Sequence, residues 1–310
     1  MLQPHDCRAH HNARRRGGPG RRGSIDPTRT VVLRRKYERE MVRRFKALKR
    51  LIREAIAVND VFGLKDPAPA FRVQQQNAPP RGAFAFPRSD AKVSAFMNWL
   101  RQASHAGILQ VHPGTPLQSA AAQAWQNVYL KTAYQSGLAK AASGMRAAGA
   151  DVQDSWVQSA FFRPVHADRA GLIYTRTYND LQGITDSMSA AISRTLAQGI
   201  AEGRGVVELA KTLADKVDVG INRARVLVRT ETIRAHADAT LNAYREAGLE
   251  GVTIEAEFTT AGDNKVCPKC EELEGGIYTI EEAQGVIPVH PNCRCAWSPI
   301  VNDPQGIRLR

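Results

Sequence analysis

Four cysteines fall within the 29 positions from Cys267 to Cys295, and their spacing constrains the C-terminal third of the chain more than any other feature. Cys267-Pro268-Lys269-Cys270 is a C-x2-C knuckle. His290-Pro291-Asn292-Cys293-Arg294-Cys295 supplies H-x2-C-x-C after a gap of 19 residues. A tight turn holds two thiolates within ~4 Å of each other, and a hairpin brings the second group back to the same point. Gly275-Gly276 offers that hairpin turn. The pattern predicts a structural, zinc-like site whose ligands are four of the five residues Cys267, Cys270, His290, Cys293 and Cys295. Cys293 and Cys295 are two apart, so in a regular strand both point to one face. His290 then lies behind them or replaces one of them. The alternative is a set of bare buried thiols or a redox pair. Cys7 stands alone near the start. An odd count, with four clustered, argues against a secreted disulfide framework and for a reducing compartment.

Catalytic readings of the cysteines fail on particular residues. A zinc deaminase needs H-x-E followed by P-C-x-x-C. Here His236-Ala237-Asp238 puts Asp where Glu is required, and Val266 precedes the C-x-x-C. A deaminase also keeps an open metal position, whereas this module has surplus ligands. His236 is therefore read as a helix-surface residue. H-E-x-x-H, G-x-S-x-G and P-loop motifs are absent from the sequence, and Gly203-Arg204-Gly205 reads as a helix stop. The expectation is a protein that is not an enzyme.

Charge is concentrated at one end. Of a net +13, all is accounted for by residues 1–53, which hold 17 Lys/Arg against four acids, while the other 257 residues carry 26 of each sign. Such asymmetry points to a polyanionic partner. Residues 1–25 are rich in Arg and Gly with few large apolar groups, and are predicted to be a disordered basic tail. Residues 26–60 predict a basic amphipathic helix. Tyr37, Met41, Phe45, Leu48, Ile52 and Ile56 form its apolar stripe, and Arg34, Arg35, Arg39, Arg43, Arg44, Lys46, Lys49, Arg50 and Arg53 fill the other faces. Those cations are candidate contacts to nucleic acid or an acidic partner; the plainer reading is a solvated face on its own domain. A membrane-surface helix would want Trp at the interface, and no run of ~18 apolar residues exists, so no membrane role is expected.

The remaining chain predicts a Pro-rich linker over 61–90 and a helical region over 91–182. From Gly183 a helix carries Ile184, Met188, Ile192, Leu196 and Ile200. A short helix from Val206 to Val217 and a longer one from Ile221 to Ala247 follow. Strands are expected over 252–258, near 277–279 and over 296–301, with a tail at 303–310. The predicted class is mainly α with a small C-terminal α+β module: helical N-terminal and central regions, then a short-stranded zinc-knuckle-like module. At ~150 residues per domain the length permits two domains.

One combination of motifs is more specific than any of its parts. Arg229-Thr230-Glu231 lies on a predicted helix. Thr259-Thr260-Ala261-Gly262-Asp263 leads into Val266-Cys267-Pro268-Lys269-Cys270, and Leu273-Glu274-Gly275-Gly276, the H-P-N-C-R-C segment and Pro299 follow. Together these residues, over 183–302, resemble the phage head morphogenesis domain of Mu F-like minor head proteins of tailed bacteriophages and prophages. Asp26-Pro27-Thr28-Arg29-Thr30 also resembles the start of some of these proteins. An aromatic often precedes the T-x-x-D segment in that family, and Phe258 stands nearest to that place.

The resemblance implies a non-enzymatic, structural virion component. It would sit inside the head at the portal vertex, pass through the host cytoplasm during assembly, and act in capsid assembly, DNA packaging or ejection. The implied partners are the portal protein and capsid or scaffold proteins, with phage DNA meeting the basic arm. Arg229, Glu231, Asp263 and Arg294 are motif residues with a structural role. If the knuckles converge, Asp263 and Arg294 form an ion pair; otherwise Asp263 caps its own turn and Arg294 faces solvent. Two further readings are a zinc-ribbon nucleic-acid-binding regulator and an effector or toxin-like domain fused to a helical region.

Overall fold

Asp26 organises the start of the first helix, α1 (Val31–Arg53). Its carboxylate accepts the N–H groups of Thr30 at 3.0 Å and Val31 at 3.1 Å, and meets the Arg34 guanidinium at 2.9 Å. An acid at the positive end of a helix satisfies donors that lack partners within the helix. A computed structural model of the chain describes residues 26–64, 78–248 and 253–302. The expected tails at 1–25 and 303–310, Cys7 and the centre of the Pro-rich segment lie outside the described residues.

The six apolar residues of the predicted stripe, five on α1 and Ile56 in the π-helical segment Glu54–Val58 that continues it, are all buried, as the periodicity predicts. They face α7 (Val206–Gly248), which runs antiparallel to α1. Lys49 meets Asp218 at 2.5 Å near one end of the contact, and Glu38 meets Arg229 at 3.0 Å near the other. A Cβ on Gly220 would lie 3.1 Å from a ring carbon of Phe45 and 3.3 Å from the Met188 sulfur. This glycine lets three helices approach. It does not end one, so the predicted break between Val217 and Ile221 is replaced by a continuous α7.

The same correction applies at Gly183. Helix α6 (Pro164–Ala201) passes straight through it, and the space where its Cβ would stand is open. A glycine inside a helix costs about 1 kcal/mol relative to alanine, which tertiary packing offsets. The boundary expected at 182/183 therefore falls inside one helix, and the residues on both sides contribute to one core.

Between α1 and α6 lie α2 (Ser89–Ser104), α3 (Leu117–Gln123), α4 (Asn127–Ala147) and α5 (Asp154–Ala160). The described ends of the expected 61–90 linker fold back on each other. Phe84 donates its N–H to the Val61 carbonyl at 2.7 Å, and Asn59 donates its side-chain amide to the Pro79 carbonyl at 2.8 Å. The rings of Phe62, Phe84 and Phe96 pack with centroids 5.6 to 6.2 Å apart. Prolines stop a helix here, but the two phenylalanines on either side gain too much from burial to remain in an open linker.

Helices α4, α6 and α7 share a buried polar relay. Asn242 donates to the Tyr134 hydroxyl at 3.2 Å, and that hydroxyl lies 2.9 Å from Nδ1 of His166. The Nε2 of His166 in turn lies 3.2 Å from Glu246, which also pairs with Arg163. With Tyr134 donating to Nδ1, the ring proton sits on Nε2 and points at the carboxylate.

The C-terminal strands are where their alternation predicts. β1 (Thr253–Thr259) lies between β2 (Ile277–Tyr278) and β3 (Ala296–Asn302) in an antiparallel sheet ordered β2-β1-β3. Ala256 pairs with both Tyr278 and Pro299. Phe258 and Tyr278 both meet the fully buried Trp297 edge-on at 5.6 Å. The sheet is anchored to the helices through Pro299 against Gly144 of α4, and through the Tyr244 hydroxyl, 3.5 Å from the Trp297 carbonyl. The class is thus mainly helical with a small three-stranded sheet at the C-terminus. No helix among the described residues is long and apolar enough to cross a membrane.

Candidate metal centre

The five sequence-predicted ligands converge. Cys267 precedes the one-turn helix α8 (Pro268–Glu272), whose first residue is the proline. That turn carries Cys270 back toward Cys267. His290 arrives from the loop after α9 (Ile280–Ala283), and its Nε2 lies 3.2 Å from the Cys267 sulfur and 3.3 Å from the Cys270 sulfur. Its Nδ1 lies 2.8 Å from the Pro291 carbonyl oxygen. A carbonyl only accepts, so Nδ1 carries the proton and Nε2 turns its lone pair toward the sulfurs, the tautomer a metal-binding imidazole needs.

Cys293 and Cys295 close the other side. Cys267, Cys270 and His290 form one group, and Cys270, Cys293 and Cys295 a second, with ligand atoms in each within 4.8 Å of one another. Cys270 belongs to both. The i,i+2 spacing does bring Cys293 and Cys295 to one place, immediately before β3. Cys270, Cys293 and Cys295 are buried, at 1 to 3% exposure. Hydrogen bonds from Cys270 and Cys295 hold Cys293 well below the usual thiol range, and sharing with Cys293 pushes Cys270 up. Thiols in one pocket compete for a single negative charge; a cation among them would remove the competition. The donors are soft thiolates and an imidazole with no carboxylate, a set that suits a soft or borderline divalent ion better than magnesium or calcium. The residues fit a metal.

The surrounding contacts hold this loop cluster in place. Arg294 grips Asp263 with two bonds, Nη1 to Oδ2 at 2.7 Å and Nη2 to Oδ1 at 2.5 Å. Asp263 Oδ1 also accepts the Lys265 N–H at 3.0 Å. The ion pair expected from convergence of the knuckles is therefore formed; Asp263 caps its own turn as well, but Arg294 is not left facing solvent. Glu274 of the L-x-G-G segment accepts the Thr260 N–H at 2.8 Å. Its role was not read from the sequence, although its place two residues before the second glycine marks it as part of the motif.

Arg229-Thr230-Glu231 ties α7 to three other elements. Arg229 forks onto Glu38 of α1 at 3.0 to 3.2 Å. Thr230 accepts the N–H of Asn292, in the loop between His290 and Cys293, at 3.2 Å. Glu231, buried, takes Arg176 of α6 at 3.0 Å and Arg234 at 2.9 Å. Successive residues on a helix point about 100° apart, so three in a row face three neighbours.

His236 is not on the helix surface. It is fully buried where α7 meets α4, both ring nitrogens lack hydrogen-bond partners, and burial lowers its pKa to about 4. Helices α1, α4 and α6 enclose α7, so most of its faces are interior.

The nine cations of the basic helix separate into two sets. Arg34 is bound to Asp26. Arg44 donates to the Gly107 carbonyl at 3.0 Å, pairs with Glu40 at 2.8 Å and lies 4.1 Å over the Trp125 ring. Lys49 is bound to Asp218. These three, expected to reach a partner, are spent inside the fold because α1 is flanked on several sides. Arg35, Arg39, Arg43, Lys46, Arg50 and Arg53 remain exposed. Lys36, exposed beside them, was not singled out in the sequence.

Comparison with known proteins bears on the region around the cysteines. The family described as Phage Mu protein F like protein matches residues 190–298. The match supports the Mu F-like phage head morphogenesis family for this part of the chain. It begins within α6 and ends within β3, so it takes in α7, β1, β2, the start of β3 and all five candidate ligands. An NAD(+)--arginine ADP-ribosyltransferase named EFV, from Enterococcus faecalis (strain ATCC 700802 / V583), is 22% identical over 130 residues. That alignment covers 38% of this chain and 27% of the relative, so the match spans about a quarter of the relative's length. No solved structure matches the chain.

Proposed function

From the Mu F-like match over residues 190–298, we propose that this chain is a structural minor head protein of a tailed phage or prophage. It is built into the head at the portal vertex and acts in capsid assembly, DNA packaging or ejection. The observation that carries the reading is the coincidence of the matched segment with the Cys/His cluster and the R-T-E anchors. Residues of the family motif are also those that fasten α7 to α1, α6 and the ligand loop.

Zinc is the ion this reading assigns to the cluster, held by Cys267, Cys270, His290 and one of Cys293 and Cys295. Bound there, zinc supplies cross-linking of a module too small to have a large core of its own. The chain's own residues prepare the site: His290 presents Nε2, Arg294 and Asp263 fix the approach of the last knuckle, and Thr230 holds the loop between them.

The relative's name denotes an arginine ADP-ribosyltransferase, and the alignment accounts for 27% of that protein. The proposal carries no transferase activity to this chain. The test is to purify particles from a host carrying the gene, separate heads from tails and identify the chain by mass spectrometry. Recovery with heads, at a few copies relative to the major capsid protein, is expected. Absence from heads, or transfer of labelled ADP-ribose from NAD to protein by the purified chain, overturns the reading.

A further inference from the structure

The exposed cations of α1 form a row. Arg35, Arg39, Arg43, Lys46 and Arg50 succeed one another by three or four residues, the spacing of one helix face. At 1.5 Å per residue the row is about 22 Å long. Arg225 reaches in from α7 and lines the same groove of about 700 Å³, together with Val42 and Ala47. The single acid lining the groove, Glu38, is held by Arg225 at 3.4 Å and Arg229 at 3.0 Å. Glu40, on α1, is likewise taken by Arg43 and Arg44. Among the described residues, Arg35, Arg39, Lys46 and Arg50 meet no carboxylate.

We propose that this row and groove bind the phosphate backbone of double-stranded nucleic acid. Charge complementarity is the first reason, since a line of cations with its acids already neutralised presents one sign of field. Geometry is the second. A straight row of about 22 Å spans roughly six base pairs at 3.4 Å per step, and guanidinium groups offer paired donors to phosphate oxygens. The third is what the groove lacks. None of its lining residues is aromatic, so it has no platform for stacking unpaired bases, and binding follows the backbone and not the sequence. The surface does not depend on the head-protein reading and stands or falls separately.

The test uses the full chain and a labelled ~20-base-pair duplex, with anisotropy measured across a salt series; five or six phosphate contacts give a slope of about −5 in log affinity against log salt. The Arg39→Glu/Lys46→Glu/Arg50→Glu variant should lower the magnitude of that slope by about 3 and weaken binding by ~30-fold or more at ~100 mM salt. Two unrelated duplex sequences should bind alike. The milder Arg39→Gln/Lys46→Gln/Arg50→Gln variant should lose binding in the same direction, and keeps the test valid if charge reversal disturbs the fold. The matched control is Arg194→Glu/Lys211→Glu/Lys131→Glu, three exposed cations outside the groove. An equal loss in that control reduces the effect to net charge and overturns the proposal. So does unchanged duplex binding in the groove variants, including the case where only Arg14→Glu/Arg15→Glu/Arg16→Glu weakens it. Loss of poly-glutamate binding with duplex binding retained would assign the face to an acidic protein surface, and equally overturns it.

Discussion

The hydroxyl of Thr230 accepts the backbone N–H of Asn292 across 3.2 Å, joining the middle of the longest helix to the loop that carries His290 and Cys293. Thr230 also donates to the Val226 carbonyl one turn earlier, at 2.8 Å, which fixes the direction of its lone pairs. Asn292 has φ of +65°, a left-handed conformation that asparagine tolerates better than most residues. Thr230→Val keeps the shape and removes the acceptor. The lost bond costs about 1 kcal/mol, and support of this kind behind a ligand changes metal affinity by about 10-fold or more. Zinc competition against a chelating dye, with amide exchange read at Asn292, checks it. An unchanged affinity would show that the loop holds its shape without α7.

The ligands should differ in severity. Cys270 belongs to both ligand groups, so Cys270→Ser should lose metal and unfold the C-terminal module. Cys293→Ser and Cys295→Ser each leave one sulfur of the pair in place, and the milder of the two identifies the residue outside the ligand set. Metal content by mass spectrometry and melting with and without chelator check this. About one zinc per chain is expected, and a chain that melts identically after chelation would rule out a structural metal.

Much of this was legible because local chemistry determines it. The ligand cluster follows from a tight knuckle and an i,i+2 pair, both short-range geometry; the expected Gly275-Gly276 hairpin is instead a turn after α8 that lays the two glycines against Phe258 of β1. The α1 stripe and the three strands follow from periodicity. What was not legible depends on neighbours distant in sequence. Gly183 and Gly220 have the same side chain, yet one faces open space and the other admits Phe45 and Met188. Nothing nearby in the chain says that neither ends a helix. His236 was misread for the same reason, since its burial comes from α4, about a hundred residues earlier. The nine cations on α1 look equivalent in sequence, and only Asp26, the Gly107 carbonyl, Asp218 and Trp125 separate the inward three from the rest.

Gly137 should tolerate no larger residue. A Cβ there would lie 2.8 Å from the Ala239 Cβ and closer still to the His236 carbonyl oxygen, which is backbone and cannot swing aside. Thr240 already donates to the Gly137 carbonyl at 3.3 Å, so the two helices touch with no spare room. Gly137→Ala must push α4 from α7, at a cost of about 3 kcal/mol, the upper range for overpacking. Gly183→Ala, at an open helical position, should stabilise by about 0.5 to 1 kcal/mol. Paired denaturant melts of the two variants check both signs.

His236 and Asp238 should oppose each other as pH falls. Burial lowers His236 from 6.5 to about 4, so between those values the unfolded chain binds a proton that the folded chain refuses. Its contribution to stability is present at neutral pH and is lost as pH drops through that window. Burial raises Asp238 from 3.8 to about 6, against the attraction of Arg176 and Arg234. There the folded chain binds the extra proton, so this residue favours folding more as pH falls through 6 toward 3.8. The slopes have opposite signs between about pH 4 and 6 and largely cancel. Asp238→Asn removes one of them. Relative to the unsubstituted chain it should be stabilising at pH 7 and lose that advantage by pH 4, a swing of about 2 to 3 kcal/mol. His236→Leu should show the reverse trend, gaining relative stability on acidification, with a further gain at every pH from removing two unpartnered ring nitrogens. Denaturant unfolding of the three proteins at several pH values between 4 and 7 measures the differences, from which the protonation of the metal ligands cancels. Parallel pH curves for all three would mean that neither side chain is held in the protonation state its burial demands.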